Sequence, residues 1–147
     1  MATDPRRAGY LARALSHEMA AVQQYLAQSS LTAMWQLDEH SRRFRGDAEE
    51  ELGHAQQLIE RMLVLGIAAN ATQLSPIRLG RSIEEMLLID RELEIEAVRL
   101  YEEASHYCAR MCDSETQTLF AALLQDELGH LRELERLLTE IHIGATP

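Results

Sequence analysis

Apolar residues recur at helical spacing along nearly the whole chain, in four runs, and one long stretch interrupts them. Asp4-Pro5 is a start signal, a capping side chain before a proline at the first helical position. The first helix is expected over about residues 5–37, with Leu11, Leu15, Val22 and Tyr25 on one stripe. The second is expected over about 38–65, with Phe44, Ala48, Ala55, Leu58, Met62 and Leu65 on its stripe and Gly66 placed to end it. Residues 66–81, which contain Pro76, break the pattern. Ser82 with Glu85 reads as a capping box for a third helix over about 82–112, carrying Ile83, Leu87, Ala97, Tyr101 and Cys108. Ser114 with Gln117 reads as a second box, opening a fourth helix over about 114–141 with Phe120, Leu124, Leu131, Leu134 and Leu138.

Almost nothing separates helices one and two, or three and four, so each pair should be an antiparallel hairpin. The stretch between the pairs, extended at roughly 3.3 Å per residue, can run the roughly 42 Å length of a helix of about 28 residues. The expected fold is all-α: an antiparallel four-helix bundle with one long crossover, 66–81, between helices two and three, in a single domain over 1–147. With 147 residues the chain can bury such a core without disulfides or structural metal.

Each expected helix carries a glutamate on its apolar stripe. Glu18 falls between Leu15 and Val22, Glu51 between Ala48 and Leu58, Glu94 between Leu87 and Ala97, and Glu127 between Leu124 and Leu131. An ionised carboxylate in a bundle core is costly unless paired or bound to metal. One such residue is commonly a helix-edge glutamate reaching for water; one per helix, near the middle of each, is a pattern. The second and fourth helices add a histidine three residues on, in Glu51-Leu52-Gly53-His54 and Glu127-Leu128-Gly129-His130. That spacing puts both side chains on one face.

The chain also repeats internally. A shift of 76 residues maps Glu18 onto Glu94, Glu51 onto Glu127 and His54 onto His130, and with them Ala21 onto Ala97, Val22 onto Val98 and Tyr25 onto Tyr101. Four carboxylates balance two divalent cations, and two imidazoles add nitrogen ligands. Glu51 and Glu127 can each bridge the metals, Glu18 and His54 completing one position and Glu94 and His130 the other. Mixed carboxylate and imidazole ligation suits iron or manganese and does not exclude zinc. The lack of thiolate ligands argues against a structural zinc or iron–sulfur site.

The net charge is −10, and all 14 basic residues are arginine. Such a chain is a poor partner for nucleic acid or an anionic membrane and a better one for cations. No apolar run approaches a membrane span, and the N-terminus has no signal-peptide core. Cys108 and Cys112 lie four apart and read as reduced thiols; the expected compartment is cytoplasmic.

These residues resemble the ferritin-like di-iron carboxylate proteins, and among them most closely the bacterioferritins. The resemblance runs from about residue 5 to 143 and includes EMAAVQQY at Glu18 to Tyr25, HAQQLIERML at His54 to Leu63 and EEMLLIDRELE at Glu84 to Glu94. It implies a ferroxidase that stores iron. Fe(II) is oxidised to Fe(III) by O2 or H2O2 at an intrasubunit centre of two iron ions held by Glu18, Glu51, His54, Glu94, Glu127 and His130, where Mn or Zn can substitute. Tyr25 matches the family's tyrosine beside that centre. It is read as ordering a carboxylate or giving up an electron, against the plainer reading of core packing. The resemblance also implies a homo-oligomeric shell built from dimers.

Three departures bear on this. Position 52, where the family places the methionine that holds haem between paired subunits, is Leu52, so no haem is expected in the homo-oligomer; a haem-binding partner subunit is left open. Gly46 stands where some members use a histidine to hold iron on the inner surface, with Asp47 and Glu50 still acidic nearby. The family's short fifth helix is expected to be missing or a stub after Gly144, which makes a smaller assembly credible. A non-storage di-iron oxygenase would use the same six ligands, but the chain has no insertion to build a substrate channel. A subunit that co-assembles with a haem-binding chain is the other alternative.

Other residues read less specifically. Asp90, one turn before Glu94, and Asp126, beside Glu127, are each either acceptors that orient a ligand or surface charge. His17, His40, His106 and His142 lack a carboxylate at ligand spacing on the core stripe and read as solvated. The sole tryptophan, Trp35, reads as interface packing.

Overall fold

The computed structural model describes residues 4–71 and 73–145. Among these it contains four α-helices and no strand: α1 (Pro5–Met34), α2 (Asp38–Val64), α3 (Ile83–Arg110) and α4 (Ser114–Ala145). The chain forms two compact units, one through Leu79 and one from Gly80. Each contains one hairpin, α1 against α2 and α3 against α4.

In the first hairpin α1 starts where the Asp4-Pro5 signal places it. The Asp4 carboxylate accepts the backbone N–H groups of Arg6 at 2.9 Å and Arg7 at 3.4 Å. The helix closes at Met34, three residues before the expected end, through a Schellman turn. Leu37 N–H donates to the Thr32 carbonyl at 2.9 Å, with Gln36 in the left-handed region at φ 63°. Ser29 and Ser41 then lock α1 to α2: each hydroxyl donates to the other residue's carbonyl, at 2.9 and 2.8 Å. Leu11, Leu15, Phe44, Leu58 and Met62 form the core of this unit. Gly66, at φ 72°, closes α2 as its position predicts, with Ile67 N–H reaching the Met62 carbonyl at 2.8 Å.

The segment after α2 is held on α1 by one buried side chain. The Gln24 amide donates to the Arg78 carbonyl at 2.6 Å and accepts the Arg78 N–H at 3.0 Å. Both backbone polar groups of Arg78 are thereby satisfied by one side chain.

In the second hairpin Ser82 caps α3, accepting Glu85 N–H at 3.1 Å, while the Glu85 carboxylate reaches back to Arg81 N–H at 3.1 Å. Gly80 precedes this cap in close contact with it, because a Cβ there would sit 2.9 Å from both Met86 N and Met86 Cγ. Met86, Leu87, Tyr101, Phe120 and Leu123 are buried, and the Tyr101 and Phe120 rings meet with centroids 5.9 Å apart. Two local expectations change. The cap of α4 is Asp113, whose carboxylate accepts Thr116 N–H at 3.2 Å, so the Ser114–Gln117 box does not open the helix. Leu123 is fully buried while Leu124 is partly exposed, because the buried stripe of α4 runs Phe120, Leu123, Glu127, Leu134, Leu138. The expected stub after Gly144 falls largely outside the described residues; α4 itself continues to Ala145.

The 76-residue repeat extends to the backbone. Met34 and Arg110, the last residues of α1 and α3, are 76 apart, as are Asp38 and Ser114, the first of α2 and α4. The α3–α4 turn repeats the α1–α2 turn bond for bond. Asp113 N–H donates to the Cys108 carbonyl at 2.9 Å, with Cys112 at φ 58° in the place of Gln36. The two halves are the same hairpin built twice.

Candidate metal centre

In the first hairpin the stripe of α1 carries Glu18 inward and the i, i+3 pair of α2 carries Glu51 and His54 to meet it. All three are buried. His54 Nδ1 lies 3.6 Å from Glu18 Oε1 and 3.6 Å from Glu51 Oε1. The second hairpin repeats the arrangement: His130 Nδ1 lies 3.8 Å from Glu94 Oε1 and 3.4 Å from Glu127 Oε2. Within each triad the three ligand atoms lie within 4.8 Å of one another. Among the described residues, these six are the His, Cys, Asp and Glu side chains that group so closely.

Those distances are informative. Nitrogen-to-oxygen hydrogen bonds are strongest at about 2.9 Å and fade beyond about 3.2 Å. Two donors each about 2.1 Å from a shared ion, and 110–130° apart at it, sit about 3.4–3.8 Å from each other. The four measured separations fall in that interval. The donor set is all oxygen and imidazole nitrogen, and the four carboxylates are at most 2% exposed. Taking a carboxylate charge out of water costs several kcal/mol per ion, and a bound divalent cation offsets that cost. The residues fit iron or a similar divalent metal.

Tyr25 and Tyr101, equivalent under the repeat, are both buried on their stripes. Asp90, for which surface charge was one reading, is fully buried on α3, whereas Asp126 is exposed. A single acid at a stripe position gives too little signal to settle its burial from sequence. His106 and His142 are exposed as expected, His142 Nε2 lying 3.4 Å from Glu84 Oε1. His17 and His40 are instead half-buried. Burial, and then the nearby Arg43 cation, hold the His40 imidazole below its ordinary pKa, against a smaller opposing effect of Glu39. Leu52, at the position of the family's haem ligand, is exposed, and Gly46 is half-buried. Cys108 is buried and Cys112 exposed, both as free thiols. Trp35 is exposed at the α1–α2 turn. Among the described residues no helix is long and apolar enough to cross a membrane.

Comparison with known proteins agrees with this geometry. The family model described as a ferritin-like domain matches residues 8–143. A bacterioferritin of Rhodobacter capsulatus is 36% identical over 135 residues, covering 92% of this chain and 84% of that protein. One from Brucella melitensis is 33% identical with the same coverage. A crystal structure of Rhodobacter capsulatus bacterioferritin superposes with a TM-score of 0.91 at 34% identity, covering 95% of this chain and 87% of the other. That structure is described as having a metal-free dinuclear site and haem iron in a crystallographic special position. With two matching hairpins, a Glu/Glu-x-x-His triad in each with all four carboxylates buried, and these likenesses, the chain belongs to the ferritin-like domain family, within its bacterioferritin branch.

Proposed function

We propose that this chain is a ferroxidase that stores iron, oxidising Fe(II) with O2 or H2O2 at a dinuclear centre assembled from its two triads. The observation that carries the reading is the duplicated triad, with ligand atoms spaced as around a shared ion in both hairpins. Rhodobacter capsulatus bacterioferritin, described with a dinuclear site, supports joining the two triads into one centre.

Fe(II) is here the substrate, and each ion supplies one electron to the oxidant. The protein's part is positional and electrostatic. Glu18, Glu51 and His54 receive one cation; Glu94, Glu127 and His130 receive the other. Four carboxylates match the charge of two divalent ions, so binding neutralises a cluster of buried like charges. Glu51 and Glu127, each on the same helix face as its histidine, are the carboxylates that we assign to be shared between the two cations. Burial excludes bulk water and leaves the oxidant as the incoming ligand. Tyr25 is buried two turns beyond Glu18 on α1, and we assign it the role of ordering a ligand carboxylate or giving up an electron.

The same reading covers the assembly. The chain is one ferritin-like domain, acts in the cytoplasm, and builds a homo-oligomeric shell from dimers in which oxidised iron collects. Leu52 offers no ligand to haem iron, so the homo-oligomer binds none. Glu18→Ala and His130→Ala test the assignment. Each should abolish fast Fe(II) oxidation, followed by ferric absorbance after mixing with aerated buffer, while far-ultraviolet circular dichroism should remain that of the wild type. Wild-type oxidation rates in both variants would overturn it.

A further inference from the structure

The two hairpins can be compared position by position, and what both keep is selective. Under the 76-residue shift the six triad residues are retained, and with them one pair of tyrosines, Tyr25 and Tyr101. The other two tyrosines are not retained: Tyr10 pairs with Met86, and Tyr107 with Leu31. Tyr10 and Met86 are both buried, so this core accepts an aliphatic side chain where its equivalent has a phenol. Packing alone therefore does not account for a phenol kept at both 25 and 101. Each retained tyrosine follows the first glutamate of its triad by seven residues, Tyr25 after Glu18 and Tyr101 after Glu94. Seven residues are two helical turns, which puts glutamate and tyrosine on one face about 10 Å apart along the axis. Long side chains of a helix lean towards its N-terminus, which for Tyr101 is the direction of Glu94. Tyr10 precedes Glu18 and leans away from it. Tyr101 is fully buried, and its ring meets Phe120 of α4, itself retained as the equivalent of Phe44.

We infer that Tyr101 is a second electron donor to the oxidant, doing in the second hairpin what Tyr25 does in the first when it gives up an electron. The inference rests on the ferroxidase reading above and extends it to the fate of the oxygen. Reduction of O2 to water takes four electrons, and two ferrous ions supply two of them. One electron from each phenol completes the four. In balance, one O2, two Fe(II), two phenols and two protons give two waters, two Fe(III) and two phenoxyl radicals. The O–O bond breaks, each phenolic O–H bond yields an electron and a proton, and the other two protons come from solvent. A chain with both tyrosines takes oxygen to water without releasing peroxide. Without either phenol, the two ferrous ions carry O2 only as far as H2O2. Burial keeps the phenoxyl of Tyr101 from quenching by solutes while it awaits re-reduction by further Fe(II), which returns the phenol.

The test uses the full chain without metal, loaded anaerobically with two equivalents of Fe(II) and mixed with O2. Freeze-quench electron paramagnetic resonance counts phenoxyl radicals, and a peroxidase-coupled dye counts H2O2. The wild type should give about two radicals per chain at the earliest times and no H2O2. Tyr25→Phe and Tyr101→Phe should each lower the radical yield by about half, and the double variant should give no radical and about one H2O2 per O2 consumed. Tyr10→Phe, the control, should match the wild type in both readings. A wild-type radical yield retained in Tyr101→Phe would overturn the inference while leaving the ferroxidase reading intact. So would release of H2O2 by the wild type in the amount seen for the double variant. No Fe(II) oxidation by the wild type would overturn both. Tyr101→Phe removes one hydroxyl and keeps the ring against Phe120. If circular dichroism nonetheless shows that it fails to fold, the wild-type count decides: about two radicals support the inference, and one or fewer overturns it.

Discussion

Removing one histidine should halve what metal does for stability. In the first hairpin His54 Nδ1 stands 3.6 Å from an oxygen of each of Glu18 and Glu51, whose ligand oxygens lie within 4.8 Å of each other. Two carboxylate charges at that separation repel by about 3 kcal/mol at an effective dielectric of about 20. A cation seated among the three atoms relieves that repulsion, so it binds the folded chain and not the unfolded one. At a free concentration 100 times its dissociation constant, each such ion adds about 2.7 kcal/mol of stability, and two ions add about 5 kcal/mol. For a chain of this length 1 kcal/mol moves the melting midpoint by about 2–4 °C, so saturating Co(II) should raise it by about 10–20 °C. In His54→Ala the first triad keeps two donors of three and the second keeps all, so the shift should fall to about 5–10 °C. In the His54→Ala, His130→Ala double variant it should vanish. The assay is thermal unfolding followed by circular dichroism at fixed protein and metal concentrations, with and without excess Co(II). A full shift in the double variant would refute the reasoning, because metal would then be stabilising the chain from somewhere else.

Three further outcomes follow from single residues. Gln36 and Cys112 each hold a left-handed backbone without being glycine, so Gln36→Gly and Cys112→Gly should each raise stability by about 1 kcal/mol in urea unfolding; a loss would show that their side chains matter more than their φ. His40 takes a proton less readily folded than unfolded, so its contribution is complete above about pH 6.5 and is lost as pH falls; His40→Gln should flatten the stability curve between about pH 7 and 5, and an unchanged slope would refute this. Leu52→Met supplies the thioether that the wild type lacks at this position. Haemin added to the assembled variant should give a Soret band that co-elutes with protein and is absent from the wild type, whereas equal bands in both would show that position 52 does not decide haem capture.

Much of this was legible in the sequence because helix geometry is forgiving. A residue on a stripe stays on that stripe if a helix end moves by three positions, so Glu18, Glu51, Glu94 and Glu127 were found although α1 ends at Met34 and α4 runs to Ala145. The i, i+3 spacing of Glu51 with His54, and of Glu127 with His130, fixes their common face without knowledge of the tertiary structure. Features resting on a single residue were harder. Asp113 takes the capping role because the preceding Schellman turn already positions it, and that turn carries no glycine to advertise it. Asp90 looks like any helix-surface acid until its face is known to be interior. Leu123 and Leu124 compete for one stripe, and only the packing of α4 selects between neighbours.

The most direct test of the central claim is iron loading by the full chain. Fe(II) is added in air, in large excess, and iron per chain and particle mass are then measured in the protein peak from a sizing column. The account predicts a fast oxidation phase of about two irons per chain, followed by retention of tens of irons or more per chain on a large particle. No fast phase, with no iron travelling with the protein, would contradict it.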